Sequence, residues 1–172
     1  GQNNSVVKLL LSYGANPNVQ EINGKNSYHE AAATGNKSII KLIRDAGGNP
    51  LSRDKNGNTP FSVVMNDDFD IIKCVLGNNY TITDSDGNTP IHLVVKQNGS
   101  VELLEYLIND GYPIDTRNAN GYTALNYAIE NDNIKLSIML LENGANPFKM
   151  IDKKGRNGVS IALEKNNKLM IS

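Results

Sequence analysis

The sequence predicts an all-α solenoid, in which helix-turn-helix units stack in a row and are joined by β-turn or hairpin loops. The main observation is a polar turn that recurs at spacings of 33, 30, 34 and 34 residues and always ends in glycine. Self-similarity with a period of this size is typical of stacked repeats. The second observation is an apolar segment that follows the turns at matching offsets. The five turns end at Gly24, Gly57, Gly87, Gly121 and Gly155.

A helix is predicted to begin shortly after each glycine. Thr59 and Thr89 are each followed by proline, and Thr123 is followed by alanine. A threonine hydroxyl caps a free amide at a helix start, and proline at the first helical position has no N–H to leave unpaired. We therefore expect first helices near 27–34, 60–66, 90–97, 124–131 and 158–165.

The apolar segments predict a second, buried helix in each unit. They cover residues 6–11, 39–43, 71–76, 103–108 and 138–141. Most are followed by glycine and then proline, as in Gly14-Ala15-Asn16-Pro17. Glycine supplies the left-handed residue that ends a helix and proline blocks its continuation, so the chain is directed into the next loop.

The helix starts resemble the Thr-Pro-Leu-His signature of ankyrin repeats, most closely at Thr89-Pro90-Ile91-His92. The resemblance covers essentially the whole chain and implies a single ankyrin-repeat array at 1–172. Its expected parts are a partial repeat at 1–20, repeats at 21–53, 54–83, 84–117 and 118–151, and a partial degenerate repeat at 152–172. The residues that share the leucine position are expected in the core: Tyr28, Phe61, Ile91, Leu125 and Val159.

Two units depart from the pattern. The repeat beginning at Gly57 is short, and its second helix ends in Gly77-Asn78-Asn79-Tyr80 without proline, so we expect an irregular loop and a weak unit there. Gly158 lies in the first turn of the last expected helix and weakens it. The chain enters at a second helix, and it ends at Ser172, where Lys168-Leu169-Met170-Ile171 should be starting another. We therefore expect a fragment of a longer ankyrin-repeat protein.

Composition argues against several functions. The 172 residues have a net charge of −1, so they have no general attraction for nucleic acid or anionic membranes, and the apolar runs are too short for membrane insertion. No nucleophile, base and orienting group form a catalytic pattern, so we expect no enzyme activity, cofactor or metal. We expect the fragment to be monomeric. The compartment stays open, with the cytoplasm favoured.

Three features have both a structural and a functional interpretation. The single cysteine, Cys74, is expected to be a buried small hydrophobe, because it lies among apolar residues. His29 and His92 are too far apart for a shared metal, and the resemblance implies that they bond helix starts to neighbouring loops. The acidic segment 67–70 lacks the ligand spacing of a calcium loop and is expected to be a solvated turn that caps the second helix.

The resemblance also implies a function. Turn tips and first helices of ankyrin repeats line a concave groove that binds proteins, so we expect a noncatalytic protein-protein interaction module with a partner of unknown identity. Tyr122 is the expected anchor, because it has no predicted core role. The alternative is a structural spacer or scaffold segment that positions other domains of a larger protein. The residues expected to contact a partner are Tyr122, Asp86, Asn88, Asn120, Lys96, Glu130, Lys153, Lys154 and Arg156.

Overall fold

A computed structural model describes residues 2–148 and 154–164 of the chain. The described residues form α-helices connected by turns and contain no strand, which confirms the predicted all-α class. The helices are α1 (Gln2–Ser12), α2 (Ser27–Thr34), α3 (Lys37–Asp45), α4 (Pro60–Val63), α5 (Phe69–Leu76), α6 (Pro90–Lys96), α7 (Val101–Asp110), α8 (Ala124–Glu130), α9 (Ile134–Glu142) and α10 (Gly158–Glu164).

The chain divides into two compact units, one at Gly1–Asn79 and the other at Tyr80–Ser172. In the first unit, α2 packs against α3 and α4, while α3 also packs against α1 and α5. Tyr28, Ile40, Phe61 and Ile72 form the centre of its core and are fully buried. Each helix therefore contacts its neighbours in the repeat order, as expected when a repeat buries its apolar face against adjacent repeats.

The second unit follows the same arrangement. Helix α8 packs against α6, α9 and α10, and α7 packs against α6 and α9. Leu104, Leu107, Leu125 and Leu140 lie in its core with almost no solvent exposure. The predicted second helices correspond to α7 and α9, and the predicted first helices correspond to α6, α8 and α10.

Polar side chains fix the helix starts. The Thr59 hydroxyl accepts the Ser62 amide at 3.0 Å, and the amide of Thr59 donates to the Ser62 hydroxyl at 2.8 Å. At the last repeat, Asn157 accepts the Ser160 amide at 2.9 Å. This cap allows α10 to form even though glycine occupies its first position.

Two details differ from the sequence-based expectations. Helix α4 ends at Val63 instead of near residue 66, because the Val64 amide bonds to Phe61 and the Asp67 amide then bonds to Val64, which closes a turn in this short repeat. Val159 is half-buried, whereas its neighbours Ile161 and Ala162 are buried. Helix α10 packs on α8, so the face that holds Ile161 and Ala162 is the one covered.

The glycine turns have a common conformation. Gly24, Gly57 and Gly87 all have φ between +76° and +83°, and the amide of each bonds to the carbonyl three residues earlier. Adjacent turns are also joined within each unit. The Lys55 amide donates to the Asn23 carbonyl at 3.0 Å, and the Ala119 amide donates to the Asp86 carbonyl at 2.8 Å. The turns thus form a continuous rim beside the first helices of each unit.

Candidate functional site

The first helices of the second unit end in a row of charged residues. Lys96 is the last residue of α6, Glu130 the last of α8 and Glu164 the last of α10. Each lies six positions after its helix start, so repetition of the unit places the three at equivalent positions. Together with Tyr122, Tyr127 and Arg156, they form what we call the first-helix surface.

Tyr122, Glu130 and Arg156 form a connected network on this surface. The Tyr122 hydroxyl donates to Glu130 Oε1 at 2.6 Å and accepts from Arg156 Nη2 at 2.8 Å. Arg156 Nη2 lies 3.6 Å from Glu130 Oε1, and its Nη1 donates to Glu164 Oε2 at 2.8 Å. A guanidinium can serve two carboxylates because its donors are arranged in a fixed fork. The network therefore connects the turn tips to the ends of α8 and α10.

Tyr127 lies beside this network and contacts five groups, one of them Asn88, whose Oδ1 accepts from the Tyr127 hydroxyl at 3.4 Å. Its ring meets the Tyr122 ring edge to face, with centroids 5.3 Å apart, and meets the His92 ring in the same way at 6.2 Å. Lys96 Nζ lies 5.4 Å from the ring centroid, within the range of a cation–π contact. The Tyr127 hydroxyl accepts from Asn118 Nδ2 at 2.9 Å, and burial raises the pKa of this phenol. These contacts hold the ring in one orientation.

The sequence-based reading missed Tyr127. In α6 and α10 the equivalent residues are Leu93 and Ile161, which are buried apolar side chains. A tyrosine at this position therefore falls within an apolar pattern and gives no separate signal of a surface role. The signal that could have identified it is the phenolic hydroxyl, which needs a polar partner and so brings the ring to the edge of the core.

A family model for ankyrin repeats, in three copies, matches residues 61–151, which is more than half of the chain. The chain belongs to the ankyrin repeat family. Ankyrin repeats are generally protein-protein interaction modules and are typically noncatalytic.

Individual ankyrin-repeat relatives are distant. Rabankyrin-5 of Mus musculus is 27% identical over 95 residues, covering 54% of this chain and 8% of that protein. Protein glp-1 of Caenorhabditis elegans is 26% identical over 169 residues, covering 90% of this chain and 10% of that protein. The chain thus spans a tenth or less of the length of these two relatives.

The fold has a close match among solved structures. A crystal structure of an ankyrin repeat domain from Acinetobacter baumannii AYE aligns with a TM-score of 0.65 and covers 96% of this chain and 87% of that one. The sequences are 22% identical, so the similarity concerns the ankyrin fold alone.

The structure places most of the predicted contact residues of this ankyrin chain on or beside the first-helix surface. Tyr122, Glu130 and Arg156 are in direct contact, and Lys96 joins them through Tyr127. Asn120 and Lys154 are exposed at turns, and Asp86 is half-buried in the turn before Gly87. Lys153 lies outside the described residues.

Asn88 was wrongly expected to be available at a turn tip. Its side chain is fully buried, because it donates to Asp84 Oδ2 at 3.0 Å and accepts from Asn118 Nδ2 at 2.8 Å. The residue therefore holds two successive turns together.

Tyr122 also differs from its expectation. The sequence suggested an aromatic residue with no structural duty, but its ring and hydroxyl both have partners within the second unit.

Both histidines bond helix starts to the following loop, as the ankyrin resemblance implied. His92 Nδ1 lies 3.1 Å from the Thr89 amide, and its Nε2 lies 3.0 Å from the Tyr122 carbonyl. An amide can only donate and a carbonyl can only accept, so the ring is neutral with its proton on Nε2. Burial lowers the pKa of His92, which favours this neutral form. His29 makes the equivalent contact with the Asn58 carbonyl at 3.1 Å.

The acidic segment between α4 and α5 has a structural role. Asp68 Oδ1 accepts the Ile71 amide at 2.9 Å and so caps α5, as predicted. Asp70 forms an ion pair with Lys37 at 3.4 Å. Within 2–148 and 154–164, no three histidine, cysteine or acidic side chains gather as a metal site, and no helix is long and apolar enough to cross a membrane.

The prediction that Cys74 is buried was wrong. The residue is half-buried in α5, and its Sγ lies 3.4 Å from the Lys37 carbonyl. Ile72 and Val75 occupy the core face of this helix, so Cys74 lies at the edge of that face, where it is partly exposed. Burial of the thiol raises its pKa in spite of the nearby Arg44, so the cysteine is held in its less reactive form.

Proposed function

We propose that this chain is a noncatalytic protein-interaction segment that binds a partner protein on its concave face through the first-helix surface of the second unit. The observation that supports this proposal is the aromatic pair Tyr122 and Tyr127, which lies among charged residues at the ends of successive first helices. Rigid aromatic side chains provide large contact areas at a small entropic cost. The division of 1–172 into one array of repeats remains a prediction.

The network around Arg156 supports a binding role. An arginine shared by Glu130, Glu164 and Tyr122 fixes the turn tip against two helices before any partner arrives. A partner then meets side chains that are already ordered, and the entropic cost of association falls. Lys154, in the same turn as Arg156, is exposed and adds positive charge beside the network.

The proposal is tested by comparing variants near the first-helix surface with variants on the exposed face of α9. Proteins captured from a cell extract by the chain are quantified by mass spectrometry for the unchanged chain and for Tyr122→Ala and Lys154→Glu. The matched controls, Lys135→Glu and Ile138→Ala, alter exposed residues of α9. We expect both variants to reduce the amount of partner captured. With the captured partner purified, Tyr122→Ala should weaken binding by about 1–3 kcal/mol, and Lys154→Glu should mainly slow association.

The controls decide the interpretation. Since Tyr122 also bonds to Glu130, its replacement is expected to lower stability by about 1 kcal/mol, so binding is compared at a temperature where each variant is folded. A partner that is lost with the α9 variants and retained with the other two would contradict the proposal. If no captured protein distinguishes any variant from the unchanged chain, the spacer alternative is favoured.

A further inference from the structure

We propose that Lys96, which lies over the ring of Tyr127, is the binding position for a carboxylate of the partner, so that the partner presents an acidic protein segment to the first-helix surface. This inference rests on the proposed function and names the chemistry of its partner. It is carried by a fixed, exposed ammonium group beside an aromatic pair.

Two contacts restrict the position of Lys96. Its Nζ lies 5.4 Å from the Tyr127 ring centroid. At the base of the residue, Asn131 Nδ2 lies 3.3 Å from both the Val95 and the Lys96 carbonyls, which joins the end of α6 to the end of α8. The side chain nevertheless remains exposed. An ammonium on an aromatic face keeps N–H groups directed to solvent, where an incoming carboxylate can accept them.

The neighbouring acid is already engaged. Glu130 occupies the position of α8 that is equivalent to Lys96 in α6, so it is the natural partner for an ion pair across the two helices. Its Oε1 instead accepts from the Tyr122 hydroxyl and lies near Arg156. Among the described residues, Lys96 forms no ion pair within 4.0 Å. Because Glu130 is held by the network around Arg156, the ammonium group of Lys96 can bind a carboxylate from a partner.

The same charges favour a protein segment over a nucleic acid. Glu130 and Glu164 both lie against the guanidinium of Arg156, so two carboxylates follow Lys96 along the row. A chain of phosphates that reached Lys96 would also pass these two carboxylates and be repelled. An Asp or Glu side chain brings one negative charge, and an apolar neighbour in the same segment can pack on the rings of Tyr122 and Tyr127.

The experiment selects ligands without assuming their identity. A random library of short displayed peptides is selected against the full chain, and the affinities of the selected peptides are measured by fluorescence anisotropy. We expect enrichment of Asp and Glu beside apolar residues. Lys96→Glu is expected to weaken these peptides by about tenfold, and Lys96→Gln by less. The matched control is Lys135→Glu, which makes the same charge change on α9.

A reciprocal change makes the assignment specific. Replacing the acidic residue of a selected peptide by lysine is expected to weaken binding to the unchanged chain and to restore binding to Lys96→Glu. Circular dichroism checks that each variant is folded, which is expected because Lys96 is exposed. A further variant combines Arg156→Gln with Tyr122→Phe and so removes both groups that hold Glu130 Oε1 while keeping the aromatic ring. It is expected to reduce the preference for acidic peptides, because Glu130 can then compete for Lys96.

Failure of the inference can be told apart from failure of the proposed function. If Tyr127→Ala abolishes binding but Lys96→Glu does not change it, the carboxylate position is wrong and the binding surface stands. Equal losses with Lys96→Glu and Lys135→Glu would indicate general charge attraction and overturn the inference. If no peptide is selected, or if selected peptides bind Tyr127→Ala and Tyr122→Ala without loss, both proposals are contradicted.

Discussion

The histidine position of the repeats shows how one buried side chain can serve two backbone groups. His92 accepts the Thr89 amide with one ring nitrogen and donates to the Tyr122 carbonyl with the other. Asn126 occupies the equivalent position of α8, and its Oδ1 accepts the Thr123 amide at 3.0 Å. Asparagine is shorter, and the buried Asn126 Nδ2 has no hydrogen-bond partner among the described residues. The Arg156 carbonyl is the acceptor equivalent to that of Tyr122.

This difference predicts the result of exchanging the two residues. Asn126→His is expected to raise the free energy of unfolding by about 1 kcal/mol, because Nε2 can reach the Arg156 carbonyl and the unsatisfied amide is removed. His92→Asn is expected to lower it by about 1–3 kcal/mol, because the Tyr122 carbonyl loses its donor. Urea denaturation measures both. A destabilised Asn126→His variant would show that the space around this buried side chain is too small for the larger ring.

The lowered pKa of His92 predicts a dependence of stability on pH. Burial keeps the folded-state pKa below the unfolded value of about 6.5. The unfolded chain therefore takes up the proton first, so the contribution is complete above this value and is lost as the pH falls through and below it. We expect the free energy of unfolding to decrease between pH 7 and 5, and to decrease less in His92→Asn. Identical slopes for the two proteins would refute this assignment.

The sequence predicts the role of a residue well when the same role recurs at the equivalent position of several repeats. The histidine contacts and the core residues Tyr28, Phe61, Ile91 and Leu125 follow from positions that recur in every unit. Tyr127, Asn88 and Cys74 escape prediction because each depends on a contact with another repeat, such as the one between Asn88 and Asn118. Their surroundings are set by the neighbouring repeat, and a local sequence pattern does not contain that information.

Among the structural elements, the turns differ in how closely they approach their neighbours. Gly24 and Gly57 have nearly the same φ, at +82° and +83°. A Cβ on Gly24 would lie 2.7 Å from the Lys55 amide nitrogen, whereas a Cβ on Gly57 would meet nothing within 4 Å. The first turn therefore needs glycine for both its conformation and its packing, and the second needs it for conformation alone.

Alanine at the two glycines separates these requirements. Gly57→Ala is expected to cost about 1–2 kcal/mol, the price of a left-handed conformation for an L-residue. Gly24→Ala is expected to cost at least about 1 kcal/mol more, because relief of the contact disturbs the bond between the Lys55 amide and the Asn23 carbonyl. Thermal unfolding of both variants measures the difference. Equal losses would mean that the two turns are not rigidly joined.

The short repeat also shows which features of an element the sequence can predict. The short spacing between Gly57 and Gly87 and the missing proline exit predicted an irregular loop after α5. They did not predict that α4 has only four residues. The sequence could not show how the exit of α5 is supported. Arg44 of α3 donates to the Cys74 carbonyl at 2.8 Å, and Tyr28 of α2 donates to the Val75 carbonyl at 2.6 Å. These donors lie about one and about one and a half repeats earlier in the chain.

At the scale of the whole molecule, the repeat order implies that local regions can open separately. A stack of repeats is stabilised mainly by contacts between neighbours, so the element with the fewest contacts and hydrogen bonds opens first. Helix α4 is the shortest of the described helices, and its last residue, Val63, is 44% exposed. Helix α8 has seven residues, of which Ala124, Leu125, Asn126, Ala128 and Ile129 are buried.

Native-state hydrogen exchange should therefore find the lowest opening free energy in the repeat from Gly57 to about Thr83, and a higher one in the repeat from Gly121. Within the weak repeat, amides of α4 should exchange before those of Ile72 and Val75, because Arg44 and Tyr28 hold the end of α5.

Arg44→Gln should remove this difference and speed exchange in α5, while amides of α9 keep their protection as the internal control. Lys41→Gln, an exposed change in the same helix as Arg44, should leave α5 unaffected. Uniform protection from α4 to α9 would mean that the chain opens as one cooperative unit, and the physical reason for a weak repeat would then be wrong.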